Sequence, residues 1–387
     1  MSLSGSIGSE ASPHDPVRLV DKTSLWDLPT PALVIDLDAL EGNLRKMADF
    51  FGDKKAGIRP HGKTHKSPII AKKQLALGAV GICTAKLSEA EVMLDAGVEN
   101  VLITSPVVSR DKIDRVIALA KKSSEMQIVV DQPANVRDFN DAAAAAGIRL
   151  GVMVDLNVGT DRTGAALDES AVELIKAIDK SPALRFGGIQ AYGGHLQHMV
   201  GWKYRHASSR ETLGRALEIK HQAEKSSIEV PVFSVGGTGT YNIDCDIEGV
   251  TDVQVGSYLF MDVNYRNVGG KEGNKFTDFT PALLVLSTAI SQPVKGRITI
   301  DAGYKAFATD KEPPELRDIQ GVSYRWAGDE HGVLEFKEPS RDIKLGDKVL
   351  LIASHCDPTV NLYDQYYVAR GETVEEAWPV AGRGRSQ

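Results

Sequence analysis

Five clusters in this chain combine residue types and spacings that could do chemistry. The first is Arg59-Pro60-His61-Gly62-Lys63-Thr64-His65-Lys66. Lysines crowded by two histidines and an arginine are expected to have an amine pKa lowered by neighbouring cations, which supplies the neutral nucleophile that Schiff-base chemistry needs. A solvated basic loop is the plain alternative. The second cluster is glycine-rich, Ser234-Val235-Gly236-Gly237-Thr238-Gly239-Thr240, and a related turn follows at Val255-Gly256-Ser257-Tyr258. Glycines let backbone N–H groups close around a phosphate. One such turn is commonplace, but two at successive late strands point to an anion.

The third cluster, Asp155 to Gly164, is longer than a connection requires, and Arg162 lies in it where it could reach a ligand oxygen. In the fourth, Gln190-Ala191-Tyr192-Gly193-Gly194-His195-Leu196-Gln197-His198, a tyrosine is followed by two histidines that could titrate near neutrality. The fifth is Ser354-His355-Cys356-Asp357. In extended chain His355 and Asp357 point one way and Cys356 the other. An imidazole and a carboxylate so placed can share a cation, and mixed N/O donors favour Mn2+ or Mg2+ over Zn2+.

The elements that must position these clusters can be read from periodicity. Strand-like runs at 57–59, 80–84, 100–104, 127–131, 150–155, 186–192, 232–235 and 253–256 alternate with amphipathic helical stretches. Eight such units over roughly 200 residues predict a (β/α)8 barrel, with a doubly wound sheet as the alternative. Lys63, Lys86, Asp131, Asp155, Tyr192 and the glycine loop all fall at or just past strand C-termini, which a barrel gathers on one face. Beyond residue 277 strand-like runs continue without a long helix, so a second, all-β domain is expected. The apolar run 30–37 precedes the barrel and is expected to pack with that domain. It leads into a helix for which Asp38 and Glu41 form the expected capping box. The expected organisation is a disordered tail at 1–27, the N-terminal strand segment at 28–40, the barrel at 41–276 and the β-domain at 277–387.

The 387 residues carry 45 Lys and Arg against 52 Asp and Glu, a net charge of −7. That balance lacks the basic footprint of a nucleic-acid binder. No apolar run is long enough to span a membrane, and the start of the chain does not read as a secretory signal. Cys83, Cys245 and Cys356 have no paired spacing, so a reducing cytosol is the expected compartment.

Several ordered motifs closely resemble those of D-threonine aldolases, which belong with D-serine dehydratase and alanine racemase among the pyridoxal-phosphate enzymes built on a barrel plus a β-domain. They are the 30–36 run, the basic segment 59–66, the Val158–Gly164 loop, Gln190–His198, the glycine loop, Gly256–Asp262, Asp301–Lys305, Asp329–Gly332 and His355–Asp364. The resemblance implies that Lys63 holds pyridoxal 5'-phosphate as a Schiff base. It implies that Gly237, Thr238, Gly239, Gly256, Ser257 and Tyr258 surround the phosphate, that Arg162 contacts the ring hydroxyl side and that Tyr192 lies near the ring nitrogen. It also implies that His355 and Asp357 bind a divalent metal. His198 would remove the β-hydroxyl proton of a 3-hydroxy-D-amino acid, directly or through water.

The sequence departs from the pattern in two places. Related D-serine dehydratases carry Cys at the position of Asp357 and use zinc, so the Asp moves the expected reaction towards aldol cleavage, with dehydration as the alternative. Val235 stands where the phosphate loop of the family has its first glycine. A non-catalytic pyridoxal-phosphate carrier is a third reading, opposed by the added β-domain. A substrate of the 3-hydroxyaspartate type would need one more cation, with His195, Lys203, Arg266 and Lys305 as candidates. The resemblance also implies a homodimer.

Overall fold

The computed structural model describes residues 14–387. Eight short parallel strands form the barrel: Gly57–Ile58, Ile82–Thr84, Val101–Ile103, Gln127–Val130, Leu150–Asp155, Leu184–Ala191, Phe233–Val235 and Asp252–Val253. Each pairs with its neighbour in chain order from the second strand to the eighth, and the eighth pairs with the first. The ring closes where the Cys83 N–H donates to the Pro60 carbonyl at 2.8 Å and His61 bridges Cys83 in parallel. The doubly wound alternative is thereby excluded. These strands are continuous apolar runs because a parallel sheet covered by helices hides both faces. Val129, Cys83, Leu102 and Met153 fill the interior as a separate small cluster.

The helices outside bury one stripe each. In Arg110–Lys122, Ile113, Val116, Ile117, Leu119 and Ala120 face inward while the charged residues face solvent. A 24-residue helix, Trp202–Lys225, lies between the sixth and seventh strands. Its polar composition hides the narrow buried stripe of Arg205, Ser209, Leu213, Ala216, Ile219 and Ala223.

The C-terminal strands form a ten-stranded sheet. Its centre is Leu283–Ser291, which pairs antiparallel with Ala32–Asp36 on one side and with Lys348–Ile352 on the other. Ala32–Asp36 also pairs in parallel with Gln365–Arg370. The N-terminal run is therefore an inner strand of the C-terminal sheet. It passes without a break into the helix Leu37–Phe51.

Two local expectations are corrected. The cap of that helix is Asp36, whose side chain accepts from the Ala39 N–H at 3.1 Å. Asp38 and Glu41 instead meet Arg370. Helix capping depends on where the strand ends, and sheet pairing ends it at Asp36, two residues before the expected cap. The tail expected at 1–27 is overturned over its later part, since Val17–Ser24 pairs antiparallel with Thr373–Pro379 and Leu25–Asp27 forms a 3-10 turn. The first thirteen residues of that call lie outside the described residues. Among the described residues no helix is long and apolar enough to cross a membrane, and the three cysteines are buried and unpaired.

Leu33 is fully buried in the strand joining the two domains. Leu33→Ala is expected to lower unfolding free energy by about 3 kcal/mol, read as a shift in the urea midpoint with the slope unchanged.

Candidate active site

A polar network runs across the upper end of the barrel. Arg59 pairs with Asp252, Asp252 accepts from the Ser234 hydroxyl, and Gln254 Nε2 donates to Ser234 Oγ at 3.0 Å and to Gln190 Oε1 at 3.1 Å. Gln190 Nε2 donates to Asp155 Oδ1 at 2.8 Å, and Thr163 Oγ1 donates to Asp155 Oδ2 at 2.8 Å. Burial pushes the Asp155 carboxyl up to about 6 despite these bonds. Mutually bonded side chains of this kind make a rigid floor for whatever lies above.

Two adjoining cavities lie on that floor, of about 60 and 540 Å3. His61, Lys63, Tyr192 and Gln254 line both. The smaller one adds Thr64, His198, Gly237, Thr238, Gly256, Ser257, Tyr265, His355 and Asp357. The larger one adds Lys86, Asp131 and Arg162 among others. The Arg162 guanidinium lies over the Tyr192 ring, 5.7 Å from its centroid.

Most of the residues singled out in the sequence are thus brought together, from five separate segments. Gly239 and Tyr258 line neither cavity. The Gly239 N–H donates to Gln197 Oε1 at 2.9 Å. The Tyr258 ring packs on Phe279, and its hydroxyl accepts from Gln74 Nε2 at 3.0 Å. The backbone N–H groups of Gly256 and Tyr258 meet instead at the Thr238 hydroxyl, at 3.2 and 3.1 Å. Val235 causes no difficulty. It is the last residue of its strand, and the turn is made by Gly236 at φ +62°, where a Cβ would come 2.2 Å from Asp244 Oδ2.

Lys63 Nζ lies 3.6 Å from Asp357 Oδ2. Burial lowers the amine most, but the Asp357 carboxylate and Tyr192 together outweigh it and the pKa is raised. This reverses the expectation from the basic segment, because the carboxylate comes from the other domain. The basic residues around Lys63 are spent elsewhere. Lys66 forms a buried pair with Glu89. Burial and the neighbouring Lys63 hold His61 neutral, with its pKa well below the usual value, and its Nε2 meets Thr104 Oγ1 at 3.2 Å.

His355 and Asp357 share the small cavity for a different reason from strand pleating. His355 caps the short helix Cys356–Val360, which turns the buried Cys356 thiol towards the Met261 carbonyl at 3.6 Å. His355 Nδ1 meets Asp310 Oδ2 at 2.9 Å, a partner that sequence reasoning missed because it lies 45 residues away on an irregular loop. Among the described residues no group of three or more His, Cys, Asp or Glu side chains forms a ready metal site. Two protein donors remain, one imidazole and one carboxylate. A hard divalent ion accepts that number when water and substrate fill the rest of its shell.

Three buried polar atoms lining the small cavity have no hydrogen-bond partner: Thr64 Oγ1, His198 Nδ1 and Asp357 Oδ1. Buried polar atoms are nearly always satisfied, so three orphans around one lysine mark a ligand site. His198 packs on Tyr265 at 4.6 Å between ring centroids, and burial with nearby cations brings its pKa to about 4. It is therefore a neutral acceptor at physiological pH. Arg205 pins the surrounding loops, since its guanidinium donates to the carbonyls of Gly239, Met199, Val268 and Gly269 at 2.6–3.1 Å.

The profile of the alanine racemase N-terminal domain matches residues 35–264, and that of a putative serine dehydratase domain matches residues 282–369. The chain is 37% identical over 362 residues to a 3-hydroxy-D-aspartate aldolase of Paracoccus denitrificans (strain Pd 1222), covering 93% of both chains. It is 35% identical to a D-threonine aldolase of Arthrobacter sp, covering 97% of this chain and 96% of the other. The crystal structure of D-threonine aldolase from Filomicrobium marinum superposes with a TM-score of 0.91 at 37% identity, covering 97% of this chain and all of that one. A D-threo-3-hydroxyaspartate dehydratase of Delftia sp. (strain HT23) is 25% identical.

The wall beside Lys63 carries a pH signature. His65 is fully buried, its Nδ1 accepts from the Ser67 N–H at 3.1 Å, and burial brings its pKa down to about 4. An unfolded chain binds the imidazole proton below about 6.5, so stability from this residue is present above that pH and is lost as pH falls from 6.5 through 4. Relative to His65→Gln, the protein is expected to lose about 3 kcal/mol more over that window, measured by urea denaturation at a series of pH values.

Proposed function

The chain belongs to the family of D-threonine and 3-hydroxy-D-aspartate aldolases, pyridoxal-phosphate enzymes of the alanine racemase type, and on that premise we propose the site chemistry that follows. The protein is a carbon–carbon lyase that cleaves 3-hydroxy-D-amino acids to glycine and an aldehyde. The observation that carries this reading is the set of three orphaned polar atoms around Lys63, with a base and two metal donors facing one amine.

Lys63 would hold pyridoxal 5'-phosphate. Gly237, Thr238, Gly256 and Ser257 stand where the phosphate would go. Gly239 and Tyr258 support that loop from behind, and Arg162 and Tyr192 flank the ring. The residues fit the cofactor in kind: an amine, glycine-lined backbone on one side and a cation stacked on a tyrosine at the mouth. When bound, the cofactor supplies an electron sink for the carbon left behind as the Cα–Cβ bond breaks.

His355 and Asp357 would hold a divalent ion, Mn2+ or Mg2+ in preference to Zn2+, because their donors are imidazole and carboxylate and the nearby thiol of Cys356 is turned away. Such an ion makes a coordinated hydroxyl more acidic. Asp310 fixes the His355 ring by engaging Nδ1, which leaves Nε2 as the ligating nitrogen. His198, which lines the small cavity, accepts the β-hydroxyl proton on its imidazole. Its low pKa keeps it ready as an acceptor. Tyr265 holds the imidazole in place from one face.

The dehydratase reading is less well supported. The dehydratase relatives are more distant, and a carboxylate stands at position 357. A carrier without activity would have no use for His355, Asp357 and the second domain. We place the enzyme in a reducing cytosol as a homodimer, a state that sedimentation would test.

Incubating the loaded enzyme with D-threonine is expected to give glycine and acetaldehyde; 2-oxobutanoate and ammonia would instead establish the dehydratase. Lys63→Ala should reduce turnover roughly a thousandfold or more while leaving the fold intact by circular dichroism. Chelation, or Asp357→Asn, should abolish most activity, and full activity in either case would remove the metal from the reaction. Asp310→Ala should weaken Mn2+ affinity roughly tenfold to a hundredfold, read by calorimetry.

A further inference from the structure

The substrate carried by this site has a β-carbon that must lie beside His198, His355 and Asp357, the base and the two metal donors. Whatever is attached to that carbon therefore projects on the same side of the cavity. The loop 309–314 edges that side. It is held at two points flanking residue 311: Asp310 Oδ2 meets His355 Nδ1 at 2.9 Å, and Glu312 Oε2 accepts from Asn264 Nδ2 at 2.9 Å. Lys311 sits between these anchors and is exposed. Its two neighbours in the chain are thus pinned while its own ammonium has no ion-pair partner within 4 Å among the described residues.

The four cations considered from the sequence do not compete for this place. Arg266 is committed to Glu315 at 2.9 Å. Lys305 pairs with Glu330 at 2.5 Å and lies on the exposed face of the β-domain. His195 packs against Gly159 on the long loop. Lys203, like Lys311, lines neither cavity, but it lies exposed in the first turn of the 24-residue helix and is not among the main charges acting on His198. Lys86 and Arg162 line the larger cavity, on the other side of Lys63 from the metal donors. Lys311 also makes itself felt at the base: after burial, it is the charge that acts most strongly on His198, ahead of His355, Asp357 and Lys63.

We propose that Lys311 is a specificity residue that receives a carboxylate on the β-carbon of the substrate, so that dicarboxylic 3-hydroxy-D-amino acids are the preferred class. This rests on the aldolase reading for its catalytic consequence, but not for the binding itself. A carboxylate one bond from the β-carbon would otherwise face the carboxylates of Asp357 and Asp310, and a nearby ammonium offsets that repulsion. A methyl group in the same position gains nothing from Lys311. His198 stays neutral near pH 8 with or without the lysine, because burial dominates its pKa.

The test compares wild type, Lys311→Ala and Lys311→Arg as the cofactor- and Mn2+-loaded enzyme at low ionic strength. Calorimetry with D-aspartate and D-alanine measures binding of the second carboxylate without any bond to cleave. The wild type is expected to favour D-aspartate, and Lys311→Ala to lose that preference by roughly tenfold, with Lys311→Arg retaining most of it. In parallel, kcat/KM for 3-hydroxy-D-aspartate should fall roughly tenfold in Lys311→Ala while that for D-threonine changes less than twofold. Equal losses on both substrates, or an unchanged D-aspartate preference in Lys311→Ala, would overturn the proposal. A wild type that prefers D-aspartate through Lys311 yet cleaves neither hydroxy acid would sink the aldolase reading and leave the carboxylate site standing.

Discussion

The cavity depends on a single strand that belongs to one domain by pairing and to the other by covalent continuity. Ala32–Asp36 lies inside the C-terminal sheet, between Leu283–Ser291 and Gln365–Arg370. The next residue starts the helix that packs on the barrel, and Asn43 on that helix donates to the carbonyls of Leu259 and Thr280 at 3.0 and 2.7 Å. Four consecutive residues of the strand are almost completely buried. Separating the domains would expose that apolar row and break two ladders of backbone hydrogen bonds, which is why the relative placement of barrel and sheet can be held tightly enough for chemistry.

That placement sets the charge state of the site. Lys63 rides on the turn after the first barrel strand and Asp357 on a short helix after a β-domain strand. Their contact at 3.6 Å exists only because the two surfaces meet. The same junction clamps the lysine turn from the other side. Tyr366 donates its hydroxyl to the His65 carbonyl at 2.6 Å, and the Gly382 N–H donates to the Lys66 carbonyl at 2.8 Å. The basic segment is therefore a fixed wall whose charges are each accounted for. Lys66 is paired, His61 and His65 are neutral, and of the two lysines Lys63 is the one that lines the cavity.

Rigidity below and unsatisfied groups above divide the labour of the site. The network from Arg59 to Thr163 uses every charge on its own neighbours and gives a floor that does not rearrange. Arg205 does the same for the loops that carry His198 and the glycines, with four carbonyls on one buried guanidinium. Thr64, His198 and Asp357 are left with polar atoms facing a cavity and nothing in the protein to meet them. Three unmet polar atoms gathered around one amine concentrate binding free energy where substrate and cofactor would sit.

The sequence by itself determined the barrel, because parallel strands hidden on both faces must be continuous apolar runs and their helices must repeat at 3.6 residues. It also singled out Lys63, Tyr192, His198, His355 and Asp357, which line one cavity, because histidines and a lysine at strand ends are legible as types. The motifs carried family membership for the same reason. Tertiary structure alone decided what those residues meet. Asp310 reaches His355 across 45 residues, Asp36 takes the cap that Asp38 was expected to hold, and Asp357 raises a lysine that its own neighbours would lower. Periodicity reports local geometry, whereas electrostatic environment is set by distance in space. Charges brought from another domain leave no local trace in the chain they act on.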